Sequence, residues 1–97
     1  MTVMTPNDQK KFIQNLTVGY SFQSNGRTIT EADVVNFACL SGDFNRLHVD
    51  QEFASTTRIG QRIAHGLLVL SVLSGLTTQT LEYRLMEPSI VALVSLS

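Results

Sequence analysis

The run from Gly66 to Leu76 constrains the fold of this chain more than any other segment. Leucine and valine occupy nearly every face of a helix drawn through it, and the residues that interrupt it, Ser71, Ser74 and Gly75, are small. A helix that is apolar all round is stable only when protein surrounds it. Because a membrane span needs roughly 20 apolar residues, the run predicts a buried core helix that a sheet can approach closely.

The chain is short for enclosing such a helix. It has 97 residues, of which 43% are hydrophobic and 15% charged, whereas average soluble proteins carry roughly 25% charged residues. A chain of this length forms at most one domain, and small domains bury a smaller share of their surface than large ones. We therefore expect a partner copy to cover part of the surface, in a homodimer or a higher oligomer.

Charge and cysteine content narrow the classes of function. The formal net charge of −1 offers no basis for binding nucleic acid or an acidic membrane surface. Cys39 is the only cysteine, so no disulfide can form within the chain, which fits a reducing, cytoplasmic compartment. The N-terminus lacks the basic start and apolar core of a secretory signal.

Capping signals predict where the helices begin. Thr30 followed by Asp33 is typical of a capping box, and the apolar spacing after it predicts a helix over residues 31–40 that stops at Gly42. Asp50 is placed to cap a further helix. The segments predicted around these signals are a loop at 43–49, a short helix at 51–55 and irregular chain at 56–63.

Strands are predicted on both sides of the helices. The segment from Gly19 to Gln23 alternates loosely and carries two aromatic residues, and residues 27–29 continue it after a turn. The β-branched, apolar segment from Ile90 to Leu96 predicts a buried strand, which Pro88 separates from the preceding chain. Residues 1–16 are expected to be a loose N-terminal segment, with a helical turn near its end. Since a stable sheet needs three or more strands, we expect more strands from other chains or from a longer protein.

Two polar motifs point to chemistry on water. Asp43, Asn45 and His48 lie within six residues, and His65 and Gly66 precede the apolar helix. An acid and an imidazole on one loop could hold and deprotonate the same water. The first N–H groups of a helix have no partner inside it and lie at the positive end of its dipole, so Gly66 could stabilise a negative oxygen. This combination predicts addition of water to an activated carbonyl compound, or its removal.

Both motifs resemble those of the MaoC-like dehydratases, also called (R)-specific enoyl-CoA hydratases. The family pattern is roughly S-G-D-x-N-P-x-H-x-D, followed by G-x-x-I-A-H-G. Here the first motif runs from Ser41 to Asp50 and the second from Gly60 to Gly66. The resemblance implies an α+β hot-dog fold, in which a curved antiparallel sheet wraps a long central helix, with residues 17–97 as an incomplete copy of that domain.

The resemblance also implies a reaction and its residues. Similar proteins add water to a 2-enoyl thioester of coenzyme A or an acyl carrier, or catalyse the reverse, with no cofactor beyond the coenzyme A of the substrate. Asp43 and His48 would form the catalytic pair, Gly66 would donate its N–H to the thioester oxygen, and Ser74 and Asn45 would support the loop. Arg46 departs from the proline of the family pattern, and a proline would stiffen this loop.

Several of these residues have other interpretations. Asp43 could be a loop acid that bonds to nearby amides, and Gly66 and Ser74 could be packing residues. His65 could shape the turn into the helix or take part in the chemistry. Arg58 and Arg62 are either contacts for coenzyme A phosphates or surface charges.

A metal site and two further functions are alternatives for the same residues. Asp43 and His48 could supply two metal ligands, but no third Cys or His lies at metal spacing in the sequence, so we expect no metal, because zinc sites use three or four ligands. The alternative functions are a non-catalytic module that binds acyl thioesters or assembles with partners, and a thioesterase, which the same fold can also host.

Overall fold

The structure of the protein, a computed structural model, describes residues 4–95. These residues form six helices and contain no strand. The helices are α1 (Pro6–Gln14), α2 (Glu31–Ser41), α3 (Arg46–Val49), α4 (Gln51–Thr56), α5 (Gly66–Thr78) and α6 (Leu81–Ser95). The chain divides into two compact units, of which one, here called the motif unit, comprises Gly26–Ser74, and the other, the terminal unit, comprises the described residues before and after it.

The terminal unit is built from α1 and α6, which pack against each other. Thr5 and Asp8 form a capping box at the start of α1, in which the Thr5 hydroxyl accepts the Asp8 N–H at 3.1 Å and the Asp8 carboxylate accepts the Thr5 N–H at 3.0 Å. Gln9 Nε2 then donates to the Arg84 carbonyl of α6 at 2.8 Å. Part of the segment 1–16, which we expected to be loose, is therefore a capped helix with a tertiary contact.

The strand predictions are wrong for the described residues. The segment 19–23 and residues 27–29 have no regular secondary structure, and residues 90–95 lie in α6, while Leu96 is outside the described residues. Pro88, expected to close the connection before a strand, lies inside α6. Periodicity alone does not separate a short apolar strand from a buried helix segment. The Thr80 hydroxyl, which accepts the Tyr83 N–H at 3.1 Å, favours a helix start here.

In the motif unit the capping signals were read correctly. The capping box of Thr30 and Asp33 opens α2, and Gly42 ends it in the left-handed conformation, with φ of 76°, while its N–H bonds to the Ala38 carbonyl at 2.8 Å. Asp50 caps α4 by accepting the Phe53 N–H at 3.0 Å. The predicted loop 43–49 differs in one respect, because its second half forms the short helix α3.

The apolar helix α5 is present as predicted, but the protein around it is not. Leu68 is buried at 7% exposure, whereas Leu67 is 68% and Leu70 is 59% exposed. The expectation that protein surrounds this helix therefore fails for the described residues, because they supply no sheet to lie against it. In the described part of the chain, no helix is long and apolar enough to cross a membrane.

Candidate active site

Short polar side chains order the loop that follows α2. The Ser41 hydroxyl accepts the N–H of Asp43 at 3.1 Å, and Asp43 Oδ1 accepts the N–H of Asn45 at 3.2 Å. Asn45 Oδ1 in turn accepts the N–H of Leu47 at 3.0 Å and so caps α3. Each side chain thus holds the backbone two residues further on, as such residues commonly do in turns. These local contacts order the backbone from α2 into α3.

His48 is held in a defined orientation. Its Nδ1 lies 2.9 Å from the carbonyl oxygen of Ile63, and its side chain is 13% exposed. A carbonyl oxygen can only accept, so in the neutral ring Nδ1 carries the hydrogen and Nε2 keeps its lone pair. This Nε2 lies 3.9 Å from Oδ2 of Asp43, whose side chain is 52% exposed. A carboxylate oxygen and a basic nitrogen therefore face each other at the edge of the site.

Arg46 occupies the position where the family pattern has proline, and its charge is directed away from this pair. Its Nε bonds to Asp50 Oδ2 at 3.3 Å, and its guanidinium carbon lies 4.2 Å from the centre of the Phe53 ring. Both partners belong to the start of α4. Because a guanidinium stacks well on an aromatic face, Arg46 fastens α3 to α4 without the rigid ring of a proline.

His65 connects both members of the pair. Its Nε2 lies 2.9 Å from the backbone carbonyl of Asp43, and its ring stacks on that of His48 with centroids 3.8 Å apart and planes 26° apart. The Phe37 ring of α2 approaches the His65 ring edge-on at 5.0 Å. His65 is only 3% exposed, and its Nδ1 is buried without a hydrogen-bond partner among the described residues.

The three side chains meet in space although the sequence separates them. One donor atom from each of Asp43, His48 and His65 lies within 4.8 Å of the other two. The sequence offers no third Cys or His at metal spacing, but the fold brings His65, 22 residues after Asp43, next to the other two side chains. From the sequence we expected His65 either to shape the turn into the helix or to take part in the chemistry, and no spacing rule indicated its contact with both other residues.

The remaining candidate residues lie around this cluster or outside it. His48, Arg62 and Ile63 help to line a cavity of about 270 Å³ in the motif unit. Arg62 is engaged there, with Nη1 2.8 Å from Glu31 Oε1 and Nε donating to Gln51 Oε1 at 3.1 Å. Three other predicted residues have exposed positions in the motif unit, namely Arg58, Gly66 and Ser74.

Gly66 opens α5 with free space beside it. A Cβ placed on Gly66 would meet no atom within 4 Å in the described structure, and its φ is not positive. Neither packing nor backbone conformation therefore requires glycine at this position. A reason for glycine at this position would therefore be a molecule that approaches the start of α5 from outside the chain.

Two acids of the motif unit have a structural task instead of a chemical one. The N–H of Thr30 holds the pKa of Asp33 below its ordinary value of 3.8, and the Thr30 hydroxyl and Arg27 act in the same direction. The N–H of Phe53 likewise lowers the pKa of Asp50, with a smaller contribution from Arg46. Both carboxylates are therefore charged at neutral pH and stay bound to the helix starts that they cap.

Comparison with known proteins identifies the family of this chain. Residues 13–95 match the family described as MaoC like domain. The chain belongs to this family, and the resemblance drawn from the two motifs is confirmed.

Two relatives and one solved structure show how far the likeness extends. The chain is 46% identical over 68 residues to an (R)-specific enoyl-CoA hydratase of Aeromonas caviae, which covers 70% of this chain and 50% of that protein. It is 36% identical over 88 residues to a 3-hydroxybutyryl-CoA dehydratase of Methylorubrum extorquens, covering 91% and 53% respectively. The solved (R)-hydratase from A. caviae, involved in PHA biosynthesis, matches with a TM-score of 0.52 and 41% identity over 63% of this chain and 50% of that chain.

The chain thus spans about half the length of these relatives. Family membership and the likeness to the solved hydratase imply the hot-dog fold. The described residues form helices, including the long apolar α5, and no strand, so they do not show the sheet of that fold.

Proposed function

We propose that this chain carries the acid–base half of a hydratase that adds water to a 2-enoyl thioester and gives a 3-hydroxyacyl thioester, or catalyses the reverse. The observation that carries this proposal is the 3.9 Å separation between Asp43 Oδ2 and His48 Nε2. The names of the relatives, an enoyl-CoA hydratase and a 3-hydroxybutyryl-CoA dehydratase, support the reaction type.

The separation suits a single water molecule held by both groups. Hydrogen bonds to water oxygen are about 2.7–3.0 Å long, so one oxygen can reach two acceptors that lie 3.9 Å apart. The lone pair on His48 Nε2 and the carboxylate of Asp43 then accept one hydrogen each. Both groups polarise the water toward hydroxide, which is the nucleophile that the β-carbon requires.

The addition is balanced within this pair. As the water oxygen bonds to the β-carbon, one of its protons passes to the pair of Asp43 and His48. The electrons of the double bond move onto the thioester oxygen, which gives an enolate. The proton then returns to the α-carbon, and the enolate collapses to the thioester. General acid–base assistance of this kind contributes about 10²–10⁴-fold, and no redox cofactor is needed because nothing outside the substrate and water is oxidised or reduced.

Gly66 supplies the second requirement, which is stabilisation of the enolate oxygen. The N-terminal N–H groups of a helix of 13 residues such as α5 have no partner within the helix and lie at its positive end. The position that a Cβ would occupy on Gly66 is open, and we infer that a thioester oxygen approaches its N–H from that side. One well-placed donor contributes about 3–4 kcal/mol in the transition state.

The substrate carrier and the assembly follow from the same interpretation. We infer a thioester of coenzyme A or an acyl carrier as the substrate, with Arg58 and Arg62 as candidate contacts for its phosphates. Arg62 would keep its bond to Glu31 while doing so, because a guanidinium has five N–H donors. We also infer a homodimer or higher oligomer, supported by the exposed Leu67 and Leu70 of α5.

The experiment is hydration of a short trans-2-enoyl-CoA, measured as loss of its conjugated ultraviolet absorbance. The protein is compared with Asp43→Asn, which keeps the acceptor for the Asn45 N–H but removes the charge. Glu52→Gln, which removes an exposed carboxylate from α4 in the same unit, is the matched control. Turnover that is lost in Asp43→Asn alone supports the hydratase.

Two other results would redirect the function. Release of free thiol from a saturated acyl-CoA would identify a thioesterase. Acyl-CoA binding that is equal in all three proteins, without turnover in any, would identify a non-catalytic binding module.

A further inference from the structure

His65 brings to the site a ring nitrogen that the proposed hydration does not use. Its Nδ1 is buried and has no hydrogen-bond partner among the described residues. Leaving a buried polar atom unpaired is energetically unfavourable, so such an atom beside a reactive pair points to a ligand. Because the His65 Nε2 faces the carbonyl of Asp43 at 2.9 Å, Nε2 carries the hydrogen and Nδ1 keeps its lone pair.

His48 and His65 share this arrangement. Each directs one ring nitrogen to a backbone carbonyl at 2.9 Å, His48 to Ile63 and His65 to Asp43. Each therefore has its other nitrogen unprotonated in the neutral ring. Histidines that bind metals usually have this environment, because a carbonyl that accepts the second N–H fixes the tautomer and makes the free nitrogen a better ligand.

Asp43 completes a set of three donors. Its Oδ1 is occupied by the N–H of Asn45, and its Oδ2 is directed toward His48. One donor atom of each of the three residues lies within 4.8 Å of the others. Two imidazole nitrogens and one carboxylate oxygen suit the borderline ions of the first transition row, while Mg²⁺ and Ca²⁺ prefer oxygen ligands alone.

We propose that Asp43, His48 and His65 bind one divalent transition-metal ion of the Zn²⁺ type, with water at its remaining positions. Asp43 lies on the loop after α2, His48 lies in α3, and His65 directly precedes α5. Ligands about 2.1 Å from a zinc ion lie closer together than the 4.8 Å limit of the cluster. The three side chains would therefore draw together on binding, and the stacked rings of His48 and His65 would turn so that one nitrogen of each faces the ion.

Metal binding and hydration exclude each other at this site, an inference that rests on the proposed function. The ion would occupy His48 Nε2 and Asp43 Oδ2, which are the two atoms that hold the reacting water. Zinc would therefore inhibit the hydratase, and an enoyl thioester in the site would weaken zinc binding.

The test is a titration with Co²⁺, which reports its ligands through visible absorption, followed by competition with Zn²⁺. Full-length protein without a histidine tag is used, with Cys39→Ser as the background because Cys39 is exposed and could bind the ion itself. The variants are Asp43→Asn, His48→Gln and His65→Gln, and Glu52→Gln is the matched control. Circular dichroism of each variant shows whether it folds, which matters most for the buried His65.

We expect one Co²⁺ per chain, displaced by Zn²⁺ but not by Mg²⁺. The Kd should rise by at least about tenfold in each folded ligand variant and stay unchanged in Glu52→Gln. If Asp43→Asn and His48→Gln bind Co²⁺ as the background protein does, the metal site does not exist. The readout is independent of turnover, so a protein that binds Co²⁺ at these residues but hydrates nothing would reject the proposed function and keep the metal site.

Discussion

The side chains of residues 43–50 and those of helix α5 find their contacts in different ways. In residues 43–50, the side-chain oxygens of Asp43, Asn45 and Asp50 accept hydrogen bonds from backbone N–H groups two or three residues further on. In α5, Leu67 and Leu70 stay exposed while Leu68 is buried. Polar side chains of the loop find partners in neighbouring backbone, whereas apolar side chains need a surface that only distant chain or another molecule can supply. The loop is thus ordered locally, and α5 depends on what covers it.

The largest expected effect concerns the loop and its pair. Both Asp43→Asn and His48→Gln should lower kcat/KM for enoyl-CoA hydration by about 10²–10⁴-fold. The kcat/KM of the double variant should be only slightly lower than that of the less active single variant, because residues that act on one water act as a unit. The measurement is a double-mutant cycle of kcat/KM, and losses that simply multiply would show that the two residues do not share a water.

A second test concerns the start of α5. Gly66→Ala should lower kcat by about a hundredfold, because a methyl group would displace the thioester oxygen by about 1 Å from its N–H donor. Stability should be equal or slightly higher, since the position has free space and no positive φ and alanine restricts the unfolded chain. Turnover and thermal unfolding are measured together, and an unchanged kcat would remove Gly66 from the oxyanion role.

A third test uses two neighbouring leucines of α5. Leu68→Ala should lower the free energy of unfolding by about 2–3 kcal/mol, because it removes a buried side chain from a core. Leu67→Ala, at 68% exposure, should change the stability of a monomer by less than about 0.5 kcal/mol. In a dimer that covers α5, it should also shift the subunit equilibrium toward the monomer.

Denaturant unfolding and light scattering at several protein concentrations separate these effects. Equal destabilisation of the monomer by both substitutions would show that α5 is covered within a single chain. A monodisperse monomer at all concentrations would contradict the proposed oligomer.

A smaller effect is expected at the helix start of α2. Thr30→Ala should lower the free energy of unfolding by about 1 kcal/mol, because it removes the acceptor for the Asp33 N–H. Thr30→Ser keeps that acceptor and serves as its control. The activity of folded protein should be unchanged in both variants, and equal melting temperatures for the two would argue against the capping box.

The smallest expected effect is a loss of thermal stability at low pH. Hydrogen bonds from backbone N–H groups lower the folded pKa of Asp8, Asp33 and Asp50 from 3.8. A lowered folded pKa contributes stability that is fully present above the unfolded value and is lost as pH falls through the folded one. Melting temperatures should therefore fall as the solution is acidified below pH 3.8, and Asp33→Asn should make that decline shallower. An identical decline in the variant would show that Asp33 is not among the groups responsible.

The sequence predictions were correct where the interactions act between neighbouring residues and wrong where they act between distant ones. The helix from Glu31 and its stop at Gly42 were predictable, because a capping box and a left-handed glycine act within a few residues. The segment 90–95 was mistaken for a strand, since an apolar run of that length suits a strand or a helix and its partners decide between them. The pair Asp43 and His48 could be proposed from the motif, whereas the position of His65 against both could not.

The sequence by itself determined where α2 and α4 begin, the end of α2 at Gly42 and the family to which the chain belongs. Each depends on residues that are close along the chain or on the motif itself. Only the tertiary structure decided which nitrogen of His48 is free, because that follows from its contact with Ile63 across 15 residues. It also decided that His65 stacks on His48 and that Leu67 and Leu70 of α5 are exposed while Leu68 is buried, since contacts and burial are set by which distant segments meet.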